Sequence, residues 1–371
     1  MLKNLKMTKY NKQKRVIVAM SGGIDSSVAA VLLKRTGFDV VGVFMKFWLP
    51  STKDGLVGDW NRCCSPEAES RARKVAKILN IPFYVFNFEN EFKKRIVDYF
   101  LASYKKGATP NPCVVCNKEI KFGLFLEKAL KLNADFVTTG HYARTKKNKN
   151  KTYLLRAKDK AKDQSYFLWQ LSQKQLSKVL FPIGDYKRKE VEELAKKFKL
   201  SPVLGIKKSF EICFVQTTIN VFLKRCLKEK PGPIVEKSHY GVKKIIGEHK
   251  GLWFYTIGQR RGIGLTGGPY YVLDKNLKKN LLIVTKREKD LYKKDLIAKR
   301  VNWISGKIPK LPLKVKAKIR YRHQPALATI IKNPKPKIYH LNFHRPQRAI
   351  TSGQSVVFYK SDELLGGGII N

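Results

Sequence analysis

The sequence is short of acid and has no long apolar run. Only 28 Asp and Glu stand against 76 Lys and Arg, a formal net charge of +48, which excludes a strongly cationic partner and makes a polyanion, nucleic acid first, the natural one. Charge alone does not separate RNA binding from lysines on solvated faces. With no stretch of roughly 18 apolar residues, a membrane-spanning helix is excluded. Met1 to Arg15 lacks the apolar segment of a secretory signal and holds a single Arg, so it reads as a frayed tail, and the expected location is cytoplasmic, with no membrane partner. The chain has only six cysteines in 371 residues, Cys63, Cys64, Cys113, Cys116, Cys213 and Cys226. Scattered through a chain that needs no disulfide scaffold, they point to chemistry or metal binding. No internal repeat is visible.

What is present is a regular alternation. Val16–Ala19 is a short β-branched run, Ser26–Lys34 an apolar helix, Val40–Phe47 a strand, Glu67–Leu79 an amphipathic helix, Pro82–Phe88 a strand and Glu91–Tyr104 a helix. Lys121–Leu132 adds a helix, and Phe136–Thr139 a strand that delivers Gly140 and His141 to its C-terminal edge. Strands alternating with helices predict an α/β fold with a doubly wound parallel sheet, whose ligands bind at that edge. Beyond about residue 210 the pattern changes to short strands broken by Gly and Pro, in Gly251–Pro269, Val315–Tyr321, Ile338–Phe343 and Ser355–Tyr359. The expected domains are 1–215, nucleotide-binding and catalytic; 216–285, small and β-rich; and 286–371, a C-terminal β-barrel.

Ser21-Gly22-Gly23-Ile24-Asp25-Ser26-Ser27 lies between the first strand and the first helix. Paired glycines let the backbone approach phosphates, and Ser26, Ser27 and the helix-terminal amides are expected to donate to anionic oxygens, with Asp25 suited to Mg²⁺ or the pyrophosphate face. The loop has no Gly-Lys-Ser/Thr ending, so it is not the phosphate loop of kinases and GTPases. It resembles the pyrophosphatase-type loop of enzymes that split ATP between the α and β phosphates and attach AMP to a substrate oxygen.

Thr109-Pro110-Asn111-Pro112-Cys113-Val114-Val115-Cys116 sets two thiols three residues apart, and Cys213 adds a third. A Cys116 near the start of the following helix, with Lys118 and Lys121 beside it, is expected to be an acidified nucleophile. Zinc, an iron–sulfur cluster held by Cys113, Cys116 and Cys213, and bare thiols all remain open. Cys63 and Cys64 read as surface or pocket-rim residues. Cys226, in the apolar segment Phe222–Leu227, reads as an inert core residue.

Together with Phe44–Lys46, Thr139–Tyr142, Lys162–Leu168, Gly247–Gly262, Ser352–Ser355 and Leu365–Ile370, these segments resemble the tRNA-specific 2-thiouridylase family over nearly the whole chain. The resemblance implies an ATP site lined by Ala19, Met20, Ser21, Gly22, Gly23, Ile24, Asp25, Ser26, Met45 and Gly140. Cys116 is then the nucleophile and Cys213 the persulfide carrier, with a Cys116–Cys213 disulfide left after turnover. It implies tRNA contacts through Asn111, Pro112, Cys113, His141, Lys162, Asp163, Gln164, Arg320, Tyr321 and Gln354. Implied partners are the glutamate, lysine and glutamine tRNAs and a sulfur-relay protein or cysteine desulfurase; implied cofactors are ATP with Mg²⁺ and, through the cysteine set, a 4Fe-4S cluster. Many members carry Asp where this chain has Cys113, so a carboxylate is missing there.

Read without the resemblance, His141 divides between a satisfied polar residue and a group at the ATP-loop edge that stacks on the target base, and Lys162–Gln164 is a helix cap, while Trp253, Tyr255, Arg260 and Arg261 form a cluster suited to the tRNA backbone, with core packing the equal alternative for the two aromatics. Two other functions fit parts of the pattern. An adenylating enzyme such as a nucleotide amidotransferase or tRNA lysidine synthetase would not need the thiols, and an RNA chaperone would not need the loop.

Overall fold

The computed structural model describes residues 13–49, 65–148, 150–206, 212–215, 218–237, 243–334 and 337–371. Cys63, Cys64, most of the N-terminal tail and the Ser209–Glu211 stretch before Cys213 lie outside them.

The first sheet is parallel, with strand order β3-β2-β1-β4-β7: β1 (Arg15–Ala19), β2 (Asp39–Lys46), β3 (Phe83–Asn87), β4 (Phe136–Thr138) and β7 (Val179–Leu180). Its inner strand reads apolar throughout because both faces are covered. Val16 and Val18 face a cluster with α1 (Ile24–Arg35) and α2 (Pro66–Ile78). Ile17 and Ala19 face the opposite cluster, which holds the 92–129 helices and reaches into the middle domain. The chain order reverses beside β1, whose neighbours are β2 and β4. A crevice at such a reversal is where open α/β sheets bind ligands, and both the Ser21–Ser27 loop and Gly140–His141 leave the sheet there.

The middle of the chain forms a four-stranded sheet of order β10-β11-β8-β9, from β8 (Gly232–Lys237), β9 (Lys243–His249), β10 (Tyr271–Asn276) and β11 (Leu281–Thr285). Between β9 and β10 the expected short strands are absent among the described residues. Gly258, Gly262, Gly264 and Gly267 all take positive φ, so the chain turns where the Gly/Pro spacing suggested extension.

Six antiparallel strands then close into a barrel, since β12 (Tyr292–Trp303) pairs with both β15 (Tyr339–Arg348) and β17 (Glu363–Ile370). The others are β13 (Leu313–Lys318), β14 (Ala326–Lys332) and β16 (Ser355–Lys360). Phe343, Phe358, Trp303 and Leu341 fill it. A hairpin from the N-terminal half, β5 (Ala143–Asn148) and β6 (Lys151–Arg156), extends this sheet through β6–β17. The strand-end residues after β4 are thereby tied directly to the barrel.

Candidate active site

The loop after β1 is held by close backbone contact. Gly22 has φ +68°, and a Cβ there would stand 2.1 Å from the Ala68 carbonyl oxygen, so only glycine fits. The Arg71 Nε donates to the Gly22 carbonyl at 3.1 Å. Gly140 is required from the other side: its Cβ would stand 2.7 Å from Ser26 N.

Ser26 Oγ and Ser27 Oγ donate to the Gly23 carbonyl at 3.1 and 2.9 Å, and Ser26 Oγ accepts from Ser21 N at 3.2 Å. The hydroxyls expected to reach phosphate instead brace the loop in this state. Gly23, the residue before the 12-residue α1, caps it without a side-chain hydrogen bond, so the first-turn amides are the donors left for an anion.

Asp25 is not a bare carboxylate. Its Oδ1 accepts from Tyr142 Oη at 2.8 Å and from Arg188 Nη1 at 2.5 Å. Burial pushes its pKa above the ordinary carboxylate value, while Arg188, Tyr142 and, more weakly, Lys162 pull the other way. Arg188 heads the helix α3 (Arg188–Lys197), its Nε donating to Glu192 Oε1 at 2.7 Å. The Gln164 side chain accepts from Tyr142 N at 2.9 Å, so Lys162 and Gln164 sit beside the nucleotide loop. Asp163 is buried and fully engaged, accepting from Arg156 Nε (2.9 Å), Ala157 N (3.1 Å) and Ser165 N (3.2 Å). Its role here is to hold the turn.

The cysteine helix begins at Pro112, with Asn111 Oδ1 accepting from Val114 N at 3.4 Å. It runs α over Pro112–Cys116, π over Asn117–Leu124 and α again over Phe125–Lys131. Cys116 is only 6% exposed, and burial pushes its thiol up to about 11, with Lys121 opposing and Cys113 adding to the shift. The expected acidified thiolate is therefore absent in this state, because desolvation outweighs the lysine. Burial likewise raises Cys113. Lys121 also acts on His141, whose pKa burial drives well below its usual value. His141 packs against both Phe122 and Phe181, which also touch each other, and shares a 2.6 Å hydrogen bond with Thr139 Oγ1; it is a buried neutral imidazole. Gly140 touches the nucleotide loop and its neighbour His141 touches the thiol helix.

The barrel reaches the same place. Gln354 Nε2 donates to the Thr109 carbonyl at 3.0 Å, and Thr109 N donates to the Ser352 carbonyl at 2.8 Å. Tyr321 packs 4.4 Å from Phe167, centroid to centroid, and its phenol is influenced by Cys113. Arg320 Nη2 donates to the Ala349 carbonyl at 3.1 Å, whereas Arg320 Nε and Thr109 Oγ1 are buried without a partner. The middle domain adds Lys275, whose Nζ donates to the Gly107 carbonyl at 3.1 Å.

Met45 is half-buried near the end of β2, and Met20 N donates to the Val43 carbonyl at 2.8 Å. Cys213 packs partly buried against the apolar cluster that contains Cys116. Cys226 is exposed, contrary to the core assignment: its helix, α4 (Ile219–Cys226), buries Phe222 and Leu223 instead. Cys113, Cys116, Cys213 and Cys226 are all free thiols. Among the described residues no three His, Cys, Asp or Glu side chains gather to hold a metal ion. Tyr255 is core, whereas Arg260 and Arg261 are exposed and border a 440 Å³ cavity with Tyr270.

Three family descriptions match in succession: the tRNA methyl transferase HUP domain over residues 14–217, the tRNA methyl transferase PRC-barrel domain over 220–286 and the aminomethyltransferase beta-barrel domain over 293–370. The chain is 46% identical over 364 residues to tRNA-specific 2-thiouridylase MnmA 2 of Clostridium tetani, covering 96% of this chain and 99% of that one. It is 44% identical over 361 residues to tRNA-specific 2-thiouridylase MnmA 2 of Clostridium botulinum, again covering 96% and 99%. The chain belongs to the tRNA-specific 2-thiouridylase family. A third 2-thiouridylase, MnmA of Clostridium perfringens, is 46% identical over 367 residues, covering 96% of this chain and 98% of that one. Sequence reasoning did not single out one residue at the 2-thiouridylase nucleotide loop, Arg188. It stands 163 positions from Asp25, and its local pattern announces only a helix start.

Proposed function

We propose that this chain is an ATP-dependent tRNA-uridine 2-sulfurtransferase. The observation that carries the reading is the junction at Gly140 and His141, which sets a nucleotide loop and a two-thiol helix on either side of one strand end. ATP with Mg²⁺ follows from the family. The first-turn amides of α1 would receive the phosphates. Asp25 would help hold the metal, whose charge would ease departure of pyrophosphate.

The uridine 2-oxygen attacks the α-phosphorus, pyrophosphate leaves, and the oxygen becomes part of an AMP leaving group. A persulfide on Cys213 then supplies the sulfur. Cys116 attacks the Cys213 sulfur, freeing hydrosulfide that adds at C2; AMP departs, 2-thiouridine forms and a Cys116–Cys213 disulfide remains. An external dithiol reduces it. Because burial holds the Cys116 thiol protonated, the attack requires a base or a less buried state once tRNA is bound. The described residues do not bring Cys113, Cys116 and Cys213 together as a metal-holding set, so no step runs through an iron–sulfur cluster.

The base must leave its stack to react. The Tyr321–Phe167 layer offers an aromatic face beside Cys113, and the unpartnered Arg320 Nε and Thr109 Oγ1 fit a polar ligand. By family resemblance, Asn111, Pro112, Cys113, His141, Lys162, Asp163, Gln164 and Gln354 are the proposed tRNA contacts beside Arg320 and Tyr321. Wobble uridines of glutamate, lysine and glutamine tRNAs are the proposed targets, a sulfur-relay protein or cysteine desulfurase the donor and the cytoplasm the location. No described helix is long and apolar enough to cross a membrane. We place the functional divisions near residues 215 and 285.

The test is thiolation of unmodified tRNA with ATP, Mg²⁺ and a persulfide donor, read by retardation in a mercury-containing gel. Retardation that needs both ATP and Cys213 supports the reading. Pyrophosphate release with unretarded tRNA points to a thiol-independent adenylating enzyme.

A further inference from the structure

Arg188 borders the Ser21–Ser27 loop, where its guanidinium is engaged by Asp25. Its Nη1 lies 2.5 Å from Asp25 Oδ1 and its Nε 2.7 Å from Glu192 Oε1. Arg188 N donates to Asp159 Oδ2 at 2.9 Å, which fixes the start of its helix. The guanidinium side chain is 16% exposed and the Asp25 side chain 36% exposed, so the pair is partly desolvated but open to the crevice on one side. Asp25 is the second residue of α1, inside the Ser21–Ser27 loop. The guanidinium therefore borders the uncapped helix terminus that would take an anion.

An arginine placed there has two competing acceptors in the working cycle, the Asp25 carboxylate and a polyphosphate. A guanidinium binds either through planar paired hydrogen bonds. A multiply charged β,γ-diphosphate outcompetes one carboxylate for it.

Resting on the ATP reading above, we propose that Arg188 is a phosphate-binding residue held in reserve by Asp25: it leaves the carboxylate when ATP arrives, grips the β,γ-phosphates, and returns to Asp25 when pyrophosphate departs. Glu192 and Tyr142 keep both partners in place through the exchange. Arg188 thus senses the polyphosphate rather than the adenosine.

The experiment is calorimetric titration of the full chain with ATP, inorganic pyrophosphate and AMP, with and without Mg²⁺, for wild type, Arg188→Ala, Arg188→Lys and Asp25→Asn. Arg188→Ala is expected to weaken ATP and pyrophosphate about ten- to hundred-fold while AMP changes by less than about two-fold. Arg188→Lys, which keeps the charge and loses the fork, should fall between and covers the case in which Arg188→Ala does not fold. Asp25→Asn removes the competing acceptor and is expected to tighten pyrophosphate in Mg²⁺-free buffer. Equal weakening of AMP and ATP by Arg188→Ala, or unchanged or weaker pyrophosphate binding in Asp25→Asn, overturns the proposal and leaves the pair a structural brace. Wild type that binds none of the three ligands would instead overturn the ATP reading itself.

Discussion

Gln354 Nε2, on the barrel, hydrogen-bonds the Thr109 carbonyl at 3.0 Å, so the last domain fixes the loop that leads into the two-thiol helix. Replacing Gln354 with Ala removes one neutral hydrogen bond and costs about 1 kcal/mol of stability. The larger expected effect is on the RNA side. kcat/KM for tRNA thiolation should fall about ten-fold, with the affinity for ATP unchanged, as checked by paired tRNA and ATP titrations.

Gly140 makes the opposite prediction. A methyl group there would meet Ser26 N, and such overpacking costs about 1–3 kcal/mol, paid at the nucleotide loop. Gly140→Ala is expected to slow pyrophosphate release at least about ten-fold while leaving tRNA affinity within about two-fold. Filter binding and a coupled pyrophosphate assay separate the two.

The raised Cys116 thiol has a pH signature. With its pKa pushed up to about 11 by burial, the thiolate fraction in the free enzyme grows about ten-fold per pH unit through the neutral range. Alkylation of Cys116 by a small iodoacetamide reagent, followed by mass spectrometry, should rise steadily with pH to about 10. A plateau near pH 7 would mean an acidified thiol.

Lys275 carries a stability signature. Burial lowers its pKa from 10.5 to about 8, so between those values the unfolded chain binds more protons than the folded one. Folding stability from this group therefore rises as pH increases from about 8 to 10.5 and is lost below. The stability of wild type relative to Lys275→Met should climb across that window in urea titrations and stay flat below pH 7.

Much of the nucleotide half was legible because its signals are local. A β-branched run, paired glycines and a helix within twenty residues specify the loop whatever surrounds them, and the alternation of strands and helices specifies the parallel sheet. The signals that failed are long-range or depend on burial. Phe222 to Leu227 looks apolar, but only one face of that helix is covered, which leaves Cys226 outside. Lysines near Cys116 suggest an acidic thiol, yet packing against Phe122 and its neighbours in one cluster sets the opposite sign. Asp25 and Arg188 meet across 163 residues. The hairpin Ala143–Arg156 joins the barrel through a pairing with Glu363 and Leu364, which no local pattern encodes.

The most direct test of the central claim follows the oxygen. Unmodified tRNA carrying ¹⁸O at the uridine 2-position is thiolated in ordinary water, and the AMP is analysed by mass spectrometry. One ¹⁸O atom in AMP per 2-thiouridine formed is the predicted result, because the base oxygen leaves on the nucleotide. AMP without the label, formed alongside thiolated tRNA, would contradict activation of that oxygen by adenylation.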